Sequence, residues 1–596
     1  MSVGGLDIPV SEPEKIEKEK KQVQVDTATK KAENLKSYIK DVLVPKDQVA
    51  AYINPSKCVN CGTCREICPA DAIEENQRII CHVCPVCTEI PGMSPQRVEA
   101  VATECSCTTA CPLHLSPQGY IGLAREGMYE EAFQLIWNKN PLPTICGSVC
   151  HHPCEDACKR GILIDNPIKI RGIKKYLSVT EDVKLPKYKR IYDENVAVIG
   201  AGPAGLTTAH YLSLMGYEVT VFEAASEAGG MLKHGIPEFR LNREYVDGDI
   251  KRLQDAGLDI RFDYRVSKYT MEKLREEYDI VVVATGTPNS KELKIPGWRL
   301  DGVMTAMSFM RQINHGLEVR RHIGQCFNFK NGEAVVIGGG SVAMDVARTA
   351  LRVGASKVTV VSLESGDDVP AHPWERAEAM EEGIQFVEGY SPIEFYADLF
   401  PTINSVKFAK VNDFAKDENG KISFTTDEND VIEIKADWVV EAIGQTADDF
   451  WAEFRDEKDV FFVGDIASNK CSVVDAMASG REMAIRIDAG LRGREVKTDM
   501  QKQKLHLAPV MEKILPYNRR KTMRPEIPME KVDTRIEGFK EVEGVFTKEQ
   551  VRQEALSCMS CGYEVVDPEK CIACGMCQKL CPKGDVITLV AKGGDK

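Results

Sequence analysis

Asn195-Val-Ala-Val-Ile-Gly200-Ala-Gly202-Pro-Ala-Gly205 is the stretch that decides the fold. An apolar strand runs into G-x-G-x-x-G and on into an amphipathic helix, and the next strand, Glu218-Val-Thr-Val-Phe222, ends at Glu223. Glycines at 200 and 202 permit a tight turn and close approach of the backbone to a pyrophosphate. Gly205 lets the helix pack on the strand, and Glu223 can accept from ribose hydroxyls. A bare glycine triplet is weak evidence, but strand, triplet, helix, strand and terminal acid in that order predict a dinucleotide-binding α/β domain.

A second copy follows at Glu333-Ala-Val-Val-Ile-Gly338-Gly-Gly340-Ser341-Val-Ala343, with a helix to Arg352 and a strand from Lys357 that leads into Ser362-Leu363-Glu364. Two such sites imply two nucleotides. Between them lies Asp279-Ile-Val-Val-Val-Ala284-Thr285-Gly286, a buried strand entering an A-T-G turn. Later comes Val460-Phe-Phe-Val-Gly464-Asp465, another strand ending in G-D. The pattern is that of an FAD domain interrupted by an NAD(P)-binding domain.

The sequence holds 22 cysteines, and all but Cys326 and Cys471 are crowded toward its two ends. Crowding at two- and three-residue intervals in a cytosolic chain points to thiolates around metal, because disulfides there are short-lived and core thiols are scattered. Cys571-Ile-Ala-Cys574-Gly-Met-Cys577-Gln-Lys-Leu-Cys581-Pro582 is the C-x2-C-x2-C-x3-C-P run of bacterial ferredoxins. Cys58-Val-Asn-Cys61-Gly-Thr-Cys64-Arg-Glu-Ile-Cys68-Pro69 repeats it near the other end. Three thiolates two residues apart curl a loop round one [4Fe-4S] cube, and the fourth, before proline, can serve a neighbouring cube. Zinc prefers two C-x2-C pairs divided by a spacer, so both runs read as iron–sulfur. Cys81, Cys84 and Cys87 form a third C-x2-C-x2-C, whose missing ligand is Cys68 or Cys105. Cys107-x3-Cys111-Pro112 and Cys146-x3-Cys150-x3-Cys154-x3-Cys158 flank a mostly helical stretch that would bring them together in an antiparallel helical layer with clusters between. At four per cube, the clustered cysteines allow five cubes, about twenty irons.

Five segments together resemble the small subunit of glutamate synthase and its relatives, the NADPH:ferredoxin transhydrogenase flavin subunits and the N-terminal half of dihydropyrimidine dehydrogenase. They are Cys107-x3-Cys111-Pro112, Ile145-Cys-Gly-Ser-Val-Cys-His-His-Pro-Cys-Glu-Asp-Ala-Cys158, Gly229-Gly-Met-Leu-Lys-His-Gly-Ile-Pro-Glu-Phe-Arg-Leu241, the Gly338 to Ala350 segment and Gly464-Asp465. The resemblance implies FAD on Gly200, Gly202, Gly205 and Glu223, the isoalloxazine near Gly230 to Pro237, and ribityl held by Asp465. Arg240, Thr285, Gly286 and Gly464 join that cofactor set, while Gly338, Gly340, Ser341 and Glu364 take the nicotinamide nucleotide. Relatives that use NADPH carry an Arg-Arg pair where this chain has Leu363-Glu364. A carboxylate repels a 2′-phosphate and suits a ribose hydroxyl, so the expectation leans to NAD(H), unless Arg376 or another base replaces the pair.

The family's opening C-x2-C is absent ahead of Cys107, and Glu554-Ala-Leu-Ser-Cys558-Met-Ser-Cys561-Gly562 resembles it. The thiolates at 107, 111, 146, 150, 154 and 158 are two short of two cubes. One reading folds the chain back, so that Cys558 and Cys561 join Cys107 and one of the 146 to 158 group, Cys158 foremost, and leave Cys111 and the others for a neighbouring cube. The alternatives are local zinc, or a pair that belongs to the C-terminal ferredoxin alone.

The 596 residues carry a net charge of −14, with 43% hydrophobic and 28% charged residues. No apolar run approaches the ~18 to 20 residues of a membrane span, and no basic stripe with interleaved aromatics suggests nucleic acid. No secretory signal is visible, so the expected location is cytoplasmic. The expected organisation is a charged arm (1–50), a ferredoxin-like module (51–104) and a helical Fe–S domain (105–190). An FAD domain (191–300 and 436–492), interrupted by an NAD(P) domain (301–435), is followed by a linker (493–550) and a C-terminal ferredoxin-like module (551–596). The function expected is electron movement between NAD(P)H and a ferredoxin or partner subunit in a hetero-oligomer, including an electron-bifurcating transhydrogenase complex. A glutamate synthase small subunit and a non-catalytic electron-wire or assembly subunit are the alternatives.

Overall fold

In a computed structural model of the chain, Asn195–Ile199 forms the centre of a five-stranded parallel sheet. Its order is Val460–Phe462, Ile280–Val283, Asn195–Ile199, Glu218–Phe222 and Asp259–Arg261. The structure describes residues 105–183, 186–323, 329, 331–399, 401–417, 422–468, 472–494, 523–559 and 561–566. Toward the ends it describes 49–53, 58, 63–68, 70, 72–77, 576–584 and 587–591. The central strands are runs of small and β-branched residues because both faces are covered; Val196, Ala197 and Val198 are fully buried.

The chain leaves this domain and returns to it through a short antiparallel pair, Asn289–Ser290 with Gln445–Thr446. The inserted domain has its own parallel sheet, ordered Gln385–Glu388, Lys357–Ser362, Glu333–Ile337, Trp438–Glu441 and Val303–Thr305. A three-stranded antiparallel sheet, Tyr390–Tyr396, Ser405–Lys416 and Ile422–Lys435, accompanies it. Trp438–Glu441 lies beyond the expected boundary at 435, because Val439 and Val440 pair with Glu333–Ile337 and are fully buried in that sheet.

Seven short helices between Ser106 and Thr180 form the helical layer. Leu113, Phe133, Ile136 and Ile145 share one apolar core with Val196, Leu206 and Leu212 of the first nucleotide domain, so the two fold as one body. Asp249 cements them: its buried carboxylate accepts from the backbone of Thr144 at 2.9 Å and of Ile145 at 3.0 Å, at the start of the helix Pro143–Val149 that carries Cys146. Such acceptors satisfy the unpaired N–H groups of a helix start.

The region expected to be a linker is ordered where it is described. From residue 523 it is a strap across three parts of the molecule. Arg524 reaches the Pro167 carbonyl and Glu554, while Lys175 bonds the Glu543 carbonyl at 2.6 Å and Glu541 at 2.7 Å. The Val542 amide donates to the Phe239 carbonyl at 2.9 Å, and Arg535 pairs with Glu381 and Glu382, each at 2.9 Å. Gly172 must be glycine under this strap, since a Cβ there would lie 2.8 Å from the Phe546 ring. The strap continues into the helix Lys548–Leu556, opened by a Thr547/Gln550 capping box.

The chain divides into two compact units, and everything above belongs to the larger. The smaller contains the described residues of both ferredoxin-type runs, expected as separate modules. Within it Val49–Ile53 pairs antiparallel with Ile587–Ala591, and it holds residues 73–75 and 564–566 of a second strand pair, Ile73–Gln77 beside Gly562–Val566. The helices Thr63–Glu66 and Met576–Leu580 pack against each other. Among the described residues no helix is long and apolar enough to cross a membrane.

Candidate functional site

The first glycine loop is shaped by its own backbone. Gly200 sits at φ 104°, and a Cβ on Gly205 would fall 1.9 Å from the Gly200 carbonyl oxygen. Gly202, by contrast, faces open space, with nothing within 4 Å of the place a Cβ would take. The helix Pro203–Met215 starts there, so its unpaired N–H groups and positive end face the same opening. Glu223 is held at the end of its strand by the Ala201 and Ala225 amides, both at 2.8 Å. Gly230 comes up beneath, 3.3 Å from the Gly202 Cα as measured from its notional Cβ, and Gly464 packs as closely on Ala204, bringing Asp465 alongside. Thr285 presents a buried hydroxyl with no hydrogen-bond partner, beside an unobstructed Gly286. An open cradle with an orphaned hydroxyl fits a dinucleotide. Arg240 behaves differently: it is tied to Asp345 at 2.7 Å and Glu375 at 2.8 Å, pinning this loop to the inserted domain.

The second loop repeats the design. Gly338 has φ 133° and no room for a side chain against the Ala442 carbonyl, while Gly340 is unobstructed and Ser341 opens the helix Ser341–Arg352. The Glu364 carboxylate lies 3.0 Å from the notional Cβ of Gly339, against the loop. Arg376, the alternative base, is bound to Glu388 and to the Gly366 carbonyl at 3.0 Å.

The thiols of the helical layer fall into two sets. Burial pushes the Cys107 thiol well above its usual range, and the side chains that add to this are Cys561, Cys558, Cys158 and Cys154. The returning chain is fixed there by Arg160, whose guanidinium donates to the Ser557 carbonyl at 2.8 Å. Cys111, Cys146, Cys150 and Cys154 influence one another as well, so that Cys154 is common to both sets; Cys146 is pushed up to about 12, first by burial. Among the described residues no three His, Cys, Asp or Glu side chains converge on one ion-sized point. A [4Fe-4S] cube takes four thiolates, one on each iron, and thiols are the donors these side chains offer. Cys105 is fully buried ahead of Ser106–Ala110, and Cys58, Cys64, Cys68, Cys577 and Cys581 lie in the smaller unit. Cys61, Cys81, Cys84, Cys87, Cys571 and Cys574 lie outside the described residues.

Several neighbours escaped the sequence reading. Lys174 is buried in the helix Ile170–Thr180; burial alone would lower its pKa, but Cys150, Cys146, Cys154 and Cys111 hold its ammonium above the ordinary range. Two lysines inside an apolar helical face were the available signal. Met477, on the helix Val473–Leu491 that follows Gly464-Asp465, meets Cys146 with 3.5 Å between sulfurs. His151 stacks on His372, and Trp374 stacks on His372 and tilts against His152, joining the Cys150–Cys154 turn to the inserted domain. Nothing local in the sequence marks that stack.

Residues 194–480 match the pyridine nucleotide-disulphide oxidoreductase family. Residues 93–184 match dihydropyrimidine dehydrogenase domain II with its 4Fe-4S cluster, and residues 51–74 and 564–585 match the 4Fe-4S binding domain. The NADP(+)-dependent formate dehydrogenase subunit beta of Moorella thermoacetica is 31% identical over 76% of this chain and 70% of its own length. The glutamate synthase [NADPH] small chain of Azospirillum brasilense is 30% identical over 66% of this chain and 89% of its own. The NAD-dependent dihydropyrimidine dehydrogenase subunit PreT of Escherichia coli O157:H7 is 30% identical over 68% and 96%. Two further relatives are spanned over only 45% and 51% of their lengths. The chain belongs to the family of NAD(P)H-dependent iron–sulfur flavoproteins that includes the small chain of glutamate synthase.

Proposed function

We propose that this protein is the flavin-bearing subunit of a hetero-oligomeric complex that moves electrons between NADH and a ferredoxin or the clusters of a partner subunit. The observation that carries this is the fusion of the thiol layer with the flavin domain: one core, with Met477 against Cys146 and Arg481 donating to the Leu113 carbonyl at 3.2 Å. FAD, when bound, converts a two-electron hydride into the single electrons that iron–sulfur cubes accept.

In this reading Gly200, Gly202, Gly205, Gly230, Glu223, Thr285, Gly286, Gly464 and Asp465 hold FAD, and Gly338, Gly340, Ser341 and Glu364 hold the nicotinamide nucleotide. One cube takes Cys107, Cys158, Cys558 and Cys561, and the other takes Cys111, Cys146, Cys150 and Cys154, with the Lys174 ammonium offsetting thiolate charge beside it. The added ferredoxin unit favours a transhydrogenase-type complex over a glutamate synthase small subunit, since it exceeds what that small chain requires. Intact loops at both nucleotide sites count against a non-catalytic wire. Anaerobically purified protein should therefore reduce a one-electron dye with NADH; failure with both NADH and NADPH would leave only the wire.

Glu364 against the second loop and the engagement of Arg376 by Glu388 lead to an expected preference for NADH over NADPH. Glu364→Arg should shift the ratio of kcat/KM toward NADPH by about tenfold to a hundredfold, the worth of one charged hydrogen bond of about 1.5 to 3 kcal/mol. Faster turnover with NADPH by the unmodified protein would place the phosphate clamp elsewhere.

A further inference from the structure

The two ferredoxin-type runs stand more than 500 residues apart in the sequence, yet the structure pairs each with the other. The strand leading into the first run, Val49–Ile53, is antiparallel to the strand leading out of the second, with Ile53 opposite Ile587. Cys58 therefore leaves, and Cys581 arrives, at the same end of this ribbon, within five and six residues of its last pair. Reciprocally, the strand leading out of the first run, Ile73–Gln77, lies beside Gly562–Val566, the strand leading into the second. Cys68 thus sits five residues before the strand that lies beside the entrance to the other run. The two halves repeat one layout: Cys64 and Cys577 are each the second residue of their short helix, and Cys68 and Cys581 each lie four residues further on. Those helices pack together, Cys58, Cys64 and Cys577 are buried, and the Ala72 amide donates to the Cys68 sulfur at 3.4 Å.

We propose that the two ends of the chain build a single two-cube ferredoxin with exchanged ligands, Cys68 completing the cube of Cys577 and Cys581 completing the cube of Cys58 and Cys64. The alternative is two self-contained cubes, each closed by its own fourth cysteine. Exchange of the cysteine before proline is what two-cube ferredoxins do within one short chain; here it would bind the beginning of the protein to its end. Under this arrangement neither half can hold its full cube without the other. Cys68 is then committed and cannot complete the Cys81, Cys84 and Cys87 group, which leaves Cys105 as the candidate there.

The inference rests on the reading of both runs as [4Fe-4S] sites, and substitution in pairs tests each part separately. In full-length, anaerobically purified protein, Cys574→Ala with Cys577→Ala should cost about four irons per chain; no loss of iron would overturn the cluster reading itself. Onto that background Cys68→Ala is added in one variant and Cys581→Ala in another. Exchanged ligands predict no further loss with Cys68→Ala, whose cube is already gone, and about four more irons lost, or conversion to a three-iron centre visible by EPR, with Cys581→Ala. The reverse pattern means that each run closes its own cube and overturns the exchange. Further loss from both variants also overturns it, because it makes both cysteines ligands outside the vacated cube.

Discussion

Replacing Cys558 and Cys561 together with alanine is expected to remove about four irons per chain and leave the ferredoxin unit loaded. The expectation follows from the field around Cys107, to which Cys561, Cys558, Cys158 and, last, Cys154 contribute, and from the Arg160 bond to the Ser557 carbonyl that seats the returning chain. Adding Cys158→Ala to that double variant should then cost nothing more, since in the proposed ligand set all three thiolates serve one cube. A further loss of about four irons would assign Cys158 elsewhere. Unchanged iron with loss of about one zinc would show the pair binding metal locally. Disappearance of the ferredoxin signals would instead assign the pair to the smaller unit.

The second large effect is expected at Gly202. Gly205→Val would disturb the fold, because its Cβ collides with the Gly200 carbonyl. Gly202 has φ −82°, which any residue adopts, and no protein atom lies within 4 Å of the notional Cβ. Gly202→Val should therefore fold, keep its irons and resist heat as the unmodified apoprotein does, yet lose FAD by well over tenfold in affinity. The added side chain fills the space through which the backbone approaches a pyrophosphate. Flavin retained after gel filtration at one per chain would remove Gly202 from the cofactor cradle.

Both nucleotide domains were legible because their signals are local. Val196 to Ile199 and Val335 to Ile337 are short apolar runs ending in glycine turns, and the acids at 223 and 364 stand where the strands end. The boundary at 435 was not legible, since Trp438-Val-Val-Glu441 is equally apolar whichever sheet receives it; pairing with Glu333–Ile337 decides. The strap read as a linker from its prolines and charges. Its order comes from ion pairs to Arg171, Lys175 and Glu382, partners that no local pattern specifies. The pairing of Val49–Ile53 with Ile587–Ala591 was hidden for the same reason. The cysteine spacing exposed the ligand types, and the missing C-x2-C ahead of Cys107 pointed to Cys558 and Cys561, but the Met477 contact and the His151–His372 stack exist only in the folded chain.

The bond between Arg160 and Ser557 joins residues 397 positions apart. On a ribosome adding about 5 to 20 residues per second, roughly 20 to 80 s separate the synthesis of the two. Under the proposed ligand set Cys107 and Cys158 wait through that interval as half of a site, while both nucleotide domains are translated between them and their partners. Exposed thiols in a nascent chain are open to oxidation and mispairing. On that ligand set loading of this cube follows synthesis of nearly the whole chain, and the yield of active protein in a cell should depend on how long its quality-control machinery tolerates an incomplete helical layer.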